Sequence, residues 1–220
     1  IVGRFDDRAK LHIIPNFVDT ALYRPGVSTA ELDKTVFPET DSIKVLYAGN
    51  IGFAQDWECL VRLAEKTRSM DVEYFVIGEG VMKNYVEEKK SDLGLEKLHV
   101  LPYQPRHLMP SILAYSDLQF IFMTPQMEGQ GFPSKVYTIM ACGRPLLVGS
   151  GLNTPIVNEI ISRFGDSVYS LSEEVELEET VVQLCKERGY QITFAESCTG
   201  GLLSGRLVGV SGASEVYGRG

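Results

Sequence analysis

The sequence has few of the residues from which metal sites and basic binding surfaces are built. Its 220 residues include three histidines and four cysteines, and no two cysteines form a CxxC pair. A zinc site is therefore not expected, and free thiols in a reducing compartment are the simpler interpretation. The 21 Lys and Arg are outnumbered by 29 Asp and Glu, which gives a formal net charge of −8. This balance argues against nucleic-acid binding, which needs clustered Lys and Arg.

Long apolar runs are also lacking. The sequence contains no stretch of about 18 apolar residues, so no membrane span is predicted, and it shows no signal-peptide pattern. With 44% hydrophobic and 23% charged residues, the composition is that of a globular protein with a sizeable core, and a cytoplasmic location is expected. The sequence begins with Ile1 and not with an initiator methionine, and we expect an N-terminal portion to precede it.

Short apolar runs alternate with stretches of helical period. Strands are predicted at Leu11–Ile14, Ile43–Ala48, Val72–Ile77, Leu98–Leu101, Leu118–Met123, Pro145–Val148 and Val168–Leu171. Helices are predicted at about 55–69, 79–93, 105–115, 134–142 and 154–163. Strands this apolar indicate a parallel sheet that helices cover on both faces. The regular alternation predicts a doubly wound, Rossmann-like α/β domain.

Three loops at the carboxyl edge of this sheet have chemistry suited to phosphate. Ligands of open parallel sheets bind beyond the carboxyl ends of the strands, where the sequence places GNIG at 49–52, GEG at 78–80 and GFPSK at 131–135. Glycines let backbone N–H groups approach a phosphate closely. A tight turn also needs glycine for its own geometry, so the first two loops support either interpretation.

The third loop carries a charge in an unusual place. Ser134 is predicted to cap the helix that follows, and Lys135 falls in the first turn of that helix. The helix dipole disfavours a cation there, which suggests an anion that offsets it. A solvated surface lysine is the equally weighted alternative.

Several of these segments together resemble a known family. The runs YAGNIGFAQDWECLVRLAE, FVIGEG, VLPYQPRHLMPSILAYSDL and GFPSKVYTIMACGRPLL, preceded by IIPNFVDTALYRP, occur in that order. They are similar to the C-terminal half of family 4 glycosyltransferases of the GT-B fold, and most of all to bacterial polysaccharide and O-antigen transferases with a PSK motif. The resemblance covers about residues 10–165. It implies a nucleotide-sugar-binding domain over 1–170, with the N-terminal acceptor domain missing.

The resemblance implies transfer of a sugar from a nucleoside-diphosphate donor to a polysaccharide or lipid-linked acceptor, without a bound metal or other cofactor. Backbone N–H groups, a helix N-terminus and basic side chains would stabilise the leaving diphosphate. The implied partners are the nucleotide-sugar donor and, through the missing half, a membrane surface touched peripherally. The resemblance assigns no catalytic residue to this chain. Because these enzymes react in the cleft between two domains and the acceptor domain is missing, we expect binding without turnover.

The same resemblance assigns donor-binding roles. The family often has two glutamates framing the third loop; here Gln130 and Thr138 occupy those places, and Glu128 is close enough to substitute for the first. Gly49, Asn50, Gly52 and Lys135 would face the diphosphate. The segments 103–107 and 130–133 would lie near the nucleobase and the sugar. The expected donor-binding set is Gly49, Asn50, Gly52, Gly80, Tyr103, Glu128, Gln130, Gly131, Phe132, Pro133, Ser134, Lys135 and Thr138.

A second motif lies near the C-terminus. Residues 194–201, FAESCTGG, and the later GAS fit a glycine-rich strand-to-helix turn, with a helix through Glu187, a strand Gln191–Ala195 and a helix from Thr199. The phrase also resembles the C-terminal domain of competence/damage-inducible protein A, a nicotinamide-nucleotide amidase. A partial α/β fragment over 171–220 is therefore expected to follow the first domain.

By this second resemblance, two serines would belong to a vestigial amidase site, and a threonine and two glycines would lie near the ligand phosphate. These residues are Ser197, Ser214, Thr199, Gly200 and Gly201. The family's later Tyr and Lys would fall beyond Gly220, so amidase activity is not expected.

Three hypotheses remain, and they differ in ligand. The favoured one is a donor-binding glycosyltransferase half, which binds a nucleoside diphosphate. The second is a fragment of an amidase fusion, which binds nicotinamide mononucleotide. The third is an inert chimeric remnant, which binds neither.

Overall fold

The chain forms two units, Ile1–Arg163 (the first unit) and Phe164–Gly220 (the second unit). The computed structural model describes residues 17–127, 133–151, 153–165, 177–192, 205 and 207–218. The predicted strands Leu11–Ile14 and Val168–Leu171 lie outside these residues.

A parallel sheet of five strands is the centre of the first unit. The strands are β1 (Ile43–Ala48), β2 (Val72–Ile77), β3 (Leu98–Leu101), β4 (Leu118–Phe122) and β5 (Leu146–Gly149). All neighbours pair in parallel, in the order β3-β2-β1-β4-β5. The bounds predicted for β1, β2 and β3 are correct; β4 ends one residue earlier than predicted, and β5 begins and ends one residue later than predicted. The doubly wound α/β fold is confirmed.

Helices follow the strands as the alternation predicts. They are α1 (Trp57–Lys66), α2 (Lys83–Asp92), α3 (Met109–Tyr115, after a 3₁₀ turn at Arg106–Leu108), α4 (Lys135–Ala141) and α5 (Pro155–Phe164). The prediction began α2 too early, at residue 79. Gly80 has a φ of 155°, which an α-helix does not contain, so the helix begins after it. The first turn of α1 is capped by the Asp56 carboxylate, which accepts a 2.9 Å hydrogen bond from the Cys59 amide.

Alternate residues of the sheet face two apolar layers. On one face, Tyr47 packs with Trp57 and Leu60 of α1. On the other face, Leu46 packs with Ile112 and Leu113 of α3. Full burial of a side chain of this size contributes roughly 1.5–3 kcal/mol. Both layers therefore fix the strands, and with them the loops at the carboxyl edge.

The strand order reverses between β1 and β4, which makes this pair the switch point of the sheet. The loop after β1 (residues 49–56, the Gly49 loop) is bonded to β4 there. The Asp56 amide donates to the Phe122 carbonyl at 2.8 Å, and the Phe122 amide donates to Gln55 Oε1 at 3.2 Å. Doubly wound sheets bind ligands at such a switch point. The loops after β1 and β4 are therefore the expected place of a ligand site.

The second unit contains helix α6 (Leu177–Arg188) and a 3₁₀ turn at Ala213–Glu215. A single parallel bridge joins Ile192 to Tyr217. The buried apolar residues described in the second unit are Val182, Leu207, Ala213 and Val216. Throughout the described ranges, no helix has the length and apolarity needed to cross a membrane.

Candidate functional site at the switch point

The Gly49 loop is tied to the loop after β2 by backbone hydrogen bonds. The Gly49 amide donates to the Ile77 carbonyl at 2.9 Å, and the Ile51 amide donates to the Glu79 carbonyl at 2.8 Å. A Cβ on Gly80 would overlap the Ile51 carbonyl oxygen, so glycine is required for this approach. Gly80 therefore has a packing role in holding the two loops together.

The family resemblance placed Gly49, Asn50 and Gly52 at a diphosphate. In the structure, the backbone amides of these three residues differ in their hydrogen bonding. The Gly49 amide is already engaged with Ile77, so it offers no free donor. The amides of Asn50 and Gly52 make no hydrogen bond to any described residue. Asn50 is exposed, whereas Gly52 is buried. Of the three, Asn50 is the residue that combines an exposed position with a backbone amide that makes no hydrogen bond to a described residue.

Lys135 lies under the Gly49 loop. Its Nζ is 3.6 Å from the centroid of the Tyr47 ring. A Cβ on Gly49 would stand only 2.7 Å from that Nζ, which shows how closely the ammonium approaches the loop. The alternative of a solvated surface lysine is therefore wrong. A cation over an aromatic face is attracted by the quadrupole of the ring.

The electrostatics of Lys135 are set by burial. None of the ion pairs found among the described residues includes it. Burial lowers the pKa of the Lys135 ammonium to about 7, because the charged form loses hydration. The neighbouring lysine at this edge, Lys83, is instead paired with Glu79 at 2.8 Å. Lys135 is thus a largely desolvated cation that has no carboxylate partner among the described residues.

Tyr47 connects this lysine to the loop. It is 3% exposed, and its hydroxyl donates a 2.7 Å hydrogen bond to the Asn50 carbonyl. Its ring meets Trp57 edge-on at 5.0 Å. Burial, and to a smaller extent the Tyr103 hydroxyl, raise the pKa of Tyr47, so the phenol stays neutral. The sequence interpretation missed Tyr47 because an aromatic residue in a strand usually indicates a core position. Its place two residues before a glycine loop was the signal that could have marked it as a site residue.

A cavity of about 110 Å³ adjoins Lys135 and Tyr47. Thr138, which by the resemblance occupies the place of one of the two framing glutamates, lines it together with Gln119. Gln119 is 2% exposed, and its buried Nε2 has no hydrogen-bond partner among the residues that the structure describes. The sequence interpretation missed this residue too, although a lone amide inside the apolar strand LQFIF was a signal that could have marked it.

The remaining predicted donor residues fall into three groups. Tyr103 is 58% exposed and lies within electrostatic reach of Tyr47. Ser134 was predicted to cap α4, and this prediction is wrong, since its φ and ψ are already helical and its side chain makes no capping hydrogen bond. Pro133, just before it, is partly exposed. The predicted residues Glu128, Gln130, Gly131 and Phe132 lie outside the described residues.

The predicted amidase residues are mostly outside the described residues as well. This applies to Ser197, Thr199, Gly200 and Gly201. Ser214 is exposed in the 3₁₀ turn of the second unit. Within the described part of the chain, no group of three His, Cys, Asp or Glu side chains is arranged to hold a metal ion.

Comparison with known families decides the assignment of the first unit. The family model described as glycosyl transferases group 1 matches residues 28–166, which is more than half of the chain. The chain belongs to the group 1 glycosyl transferases. A second model, the CinA C-terminal domain, matches residues 174–220. Both resemblances inferred from the sequence are confirmed, and the two matched ranges do not overlap.

Solved structures show the same fold as the first unit. Anabaena Alr3699/HepE, solved in complex with UDP and glucose, superposes with a TM-score of 0.51 at 18% identity, over 65% of this chain and 38% of its own. Sucrose-phosphate synthase of Thermosynechococcus elongatus gives a TM-score of 0.51 at 16% identity, over 69% and 39% of the two chains. At this identity the likeness establishes the GT-B type of fold.

Curated relatives match the C-terminal part. A CinA-like protein of Dictyoglomus turgidum is 53% identical over 62 residues, which is 28% of this chain and 15% of that protein. A CinA-like protein of Kosmotoga olearia is 41% identical over 70 residues, or 32% and 17% of the two. The chain thus spans less than a fifth of the length of these two relatives.

Proposed function

We propose that the first unit binds the nucleoside-diphosphate part of a nucleotide sugar at the switch point between β1 and β4. In this proposal it is the donor-binding half of a family 4, metal-independent glycosyltransferase. The observation that carries the proposal is the Lys135 ammonium, which lies against the Gly49 loop with no described carboxylate partner. A buried cation that lacks a protein counter-charge is strongly stabilised by an anion.

The diphosphate is the ligand that best fits these contacts. It would accept hydrogen bonds from Lys135 Nζ and from the Asn50 amide, which lie at the same edge of the sheet. Charge-assisted hydrogen bonds of this type contribute roughly 1.5–3 kcal/mol each. The same groups would stabilise negative charge on the leaving diphosphate during transfer. The complex of Alr3699/HepE with UDP and glucose supports this ligand class, since that protein shares the fold.

The rest of the proposed organisation follows from this assignment. The donor-binding domain would span residues 1–170, and the amidase-like fragment would span 171–220. A separate acceptor domain would close the cleft and present a polysaccharide or lipid-linked acceptor. That domain would also make any peripheral membrane contact of a cytoplasmic enzyme, and sugar transfer would depend on it.

A thermal-shift screen tests the ligand class. The chain is heated with UDP, GDP, ADP, their sugar conjugates and nicotinamide mononucleotide, because a ligand that binds only the folded state raises the melting temperature. The proposal expects one nucleoside diphosphate to raise it, with the shift lost in Lys135→Met. The matched control is Lys89→Met, since Lys89 lies 5.9 Å over the ring of Tyr85 on α2, away from the switch point.

Each other outcome of the screen rejects the proposal. A shift with nicotinamide mononucleotide alone would assign the ligand to the amidase-like fragment. The absence of a shift with every compound would favour an inert remnant.

A further inference from the structure

One buried side chain contacts both groups that the proposed function places at the diphosphate. The ring of Tyr47 lies under the ammonium of Lys135, at 3.6 Å from centroid to Nζ. The hydroxyl of the same residue donates to the Asn50 carbonyl at 2.7 Å. No element other than β1 supplies a described side chain with both of these contacts.

The hydroxyl contact fixes the turn of the Gly49 loop. The peptide group between Asn50 and Ile51 is held on both sides: Tyr47 donates to its carbonyl, and its N–H donates to the Glu79 carbonyl at 2.8 Å. A peptide plane held at both ends cannot rotate freely. The Asn50 amide belongs to the preceding peptide group, one Cα atom away, so the held plane narrows its range of orientations before a ligand arrives.

The ring contact fixes the lysine. Tyr47 packs between Trp57, at 5.0 Å edge-on, and Phe120, at 5.4 Å. These two neighbours restrict rotation of the Tyr47 ring, so that its face lies against Lys135 Nζ. A preorganised cation loses less conformational entropy on binding an anion than a mobile surface lysine does.

We propose that Tyr47 is a positioning residue for the donor: its ring holds the Lys135 ammonium under the Gly49 loop, while its hydroxyl orients the Asn50 amide. This inference rests on the proposed function. Tyr47 acts through its two neighbours and does not itself have to touch the ligand.

Burial of Lys135 on this ring has a measurable consequence. Its pKa is lowered to about 7, and a bound diphosphate would favour the charged form and raise that pKa again. The chain should therefore take up a proton when UDP binds between about pH 7 and pH 9. No described carboxylate forms an ion pair with Lys135, and the groups facing it are Tyr47, the Gly49 backbone and the cavity side chains Gln119 and Thr138.

Isothermal titration with UDP, in two buffers of different ionisation enthalpy at pH 8, measures affinity and proton uptake together. Wild type is expected to take up a proton. Tyr47→Phe keeps the ring, so it should keep the proton uptake and lose a few-fold in affinity. Tyr47→Leu releases the lysine to solvent, where it is already protonated, so the uptake should disappear and affinity should fall about tenfold. Tyr85→Leu removes another ring that carries a lysine, Lys89, and should change neither quantity.

A spectroscopic measurement on wild type covers the case that Tyr47→Leu does not fold. With ¹³C-labelled lysine, the ε-methylene protons of Lys135 should be shifted upfield by the Tyr47 ring and should titrate near pH 7. The ε-methylene protons of the exposed lysines should not be shifted upfield. A Lys135 resonance at the ordinary lysine position with an ordinary titration midpoint would overturn the inference.

The outcomes separate this inference from the proposed function. Wild type that binds none of the nucleotides contradicts the proposed function itself. Wild type that binds UDP and loses it in Lys135→Met, while Tyr47→Leu keeps wild-type affinity and proton uptake, contradicts only the positioning role of Tyr47.

Discussion

The side-chain carbonyl of Gln55 accepts a 3.2 Å hydrogen bond from the backbone amide of Phe122. Gln55 belongs to the Gly49 loop and Phe122 ends β4, so the bond crosses the switch point of the sheet. Both groups are buried, which leaves the Phe122 amide without water as an alternative partner. This contact links the geometry of the proposed donor site to the stability of the fold.

Replacement of Gln55 by Leu should therefore destabilise the first unit. The Phe122 amide would be left buried and unpaired, which costs about 1–3 kcal/mol in the free energy of unfolding. Urea denaturation measures the change. Gln183→Leu on the exposed side of α6 is the control and should have little effect. An unchanged midpoint for Gln55→Leu would show that the bond contributes nothing to stability.

Gly80→Ala should cost more stability than Gly94→Ala. Both glycines have positive φ, 155° and 60°, so both substitutions introduce backbone strain. Only at Gly80 would the new Cβ also overlap a backbone atom, the Ile51 carbonyl oxygen; at Gly94 nothing lies within 4 Å. The difference between the two unfolding free energies reports this overlap together with the greater backbone strain of alanine at a φ of 155°. Equal losses would refute that packing role.

Gln119→Met should leave stability unchanged or raise it by about 1 kcal/mol. The substitution keeps the length of the side chain and removes a buried amide donor that has no partner in the described part of the chain. Thermal and urea unfolding provide the measurement. A marked loss of stability would show that the amide is paired in solution.

The stability of the first unit should depend on pH through Lys135. Its pKa in the folded chain is about 7, below the ordinary value of 10.5, so between these values the unfolded state binds more protons than the folded one. The free energy of unfolding should therefore rise with pH from about 7 to 10.5 through this group. Lys135→Met should remove that rise, which urea denaturation at pH 7, 8.5 and 10 would reveal. Parallel pH profiles of the two proteins would contradict the lowered pKa.

Local pattern was sufficient for most of the sheet. The apolar runs of β1 and β2 are each followed by glycine, and both strands end where the sequence predicts. Strands of a buried parallel sheet have continuous apolar sequences, so the ends of an apolar run predict the ends of the strand. The early start predicted for α2 failed because Gly80 is needed for its close approach to Ile51, a contact between different loops that local pattern does not contain.

The site was predictable only in part, for the same physical reason. Lys135 was found from its unfavourable place in the first turn of a helix. Its burial on Tyr47 depends on packing between β1 and α4, which are distant in sequence. Gly49 was expected to donate to a phosphate, and instead its amide continues the bonding pattern of the sheet toward Ile77. Tyr47 and Gln119 were interpreted as ordinary strand residues. Their positions beside the candidate site depend on contacts with other segments of the chain, which the local sequence does not show.

The most direct test of the account is the affinity of the chain for its preferred nucleoside diphosphate at pH 6.5, which lies below the lowered pKa of Lys135, so that most of the ammonium is charged before the ligand binds. Isothermal titration would compare wild type, Lys135→Met and Lys89→Met. The account predicts that Lys135→Met weakens binding about 10- to 100-fold, as expected for loss of one charge-assisted hydrogen bond. It also predicts that Lys89→Met binds as wild type does. Equal affinity of all three proteins would contradict the placement of the diphosphate at Lys135.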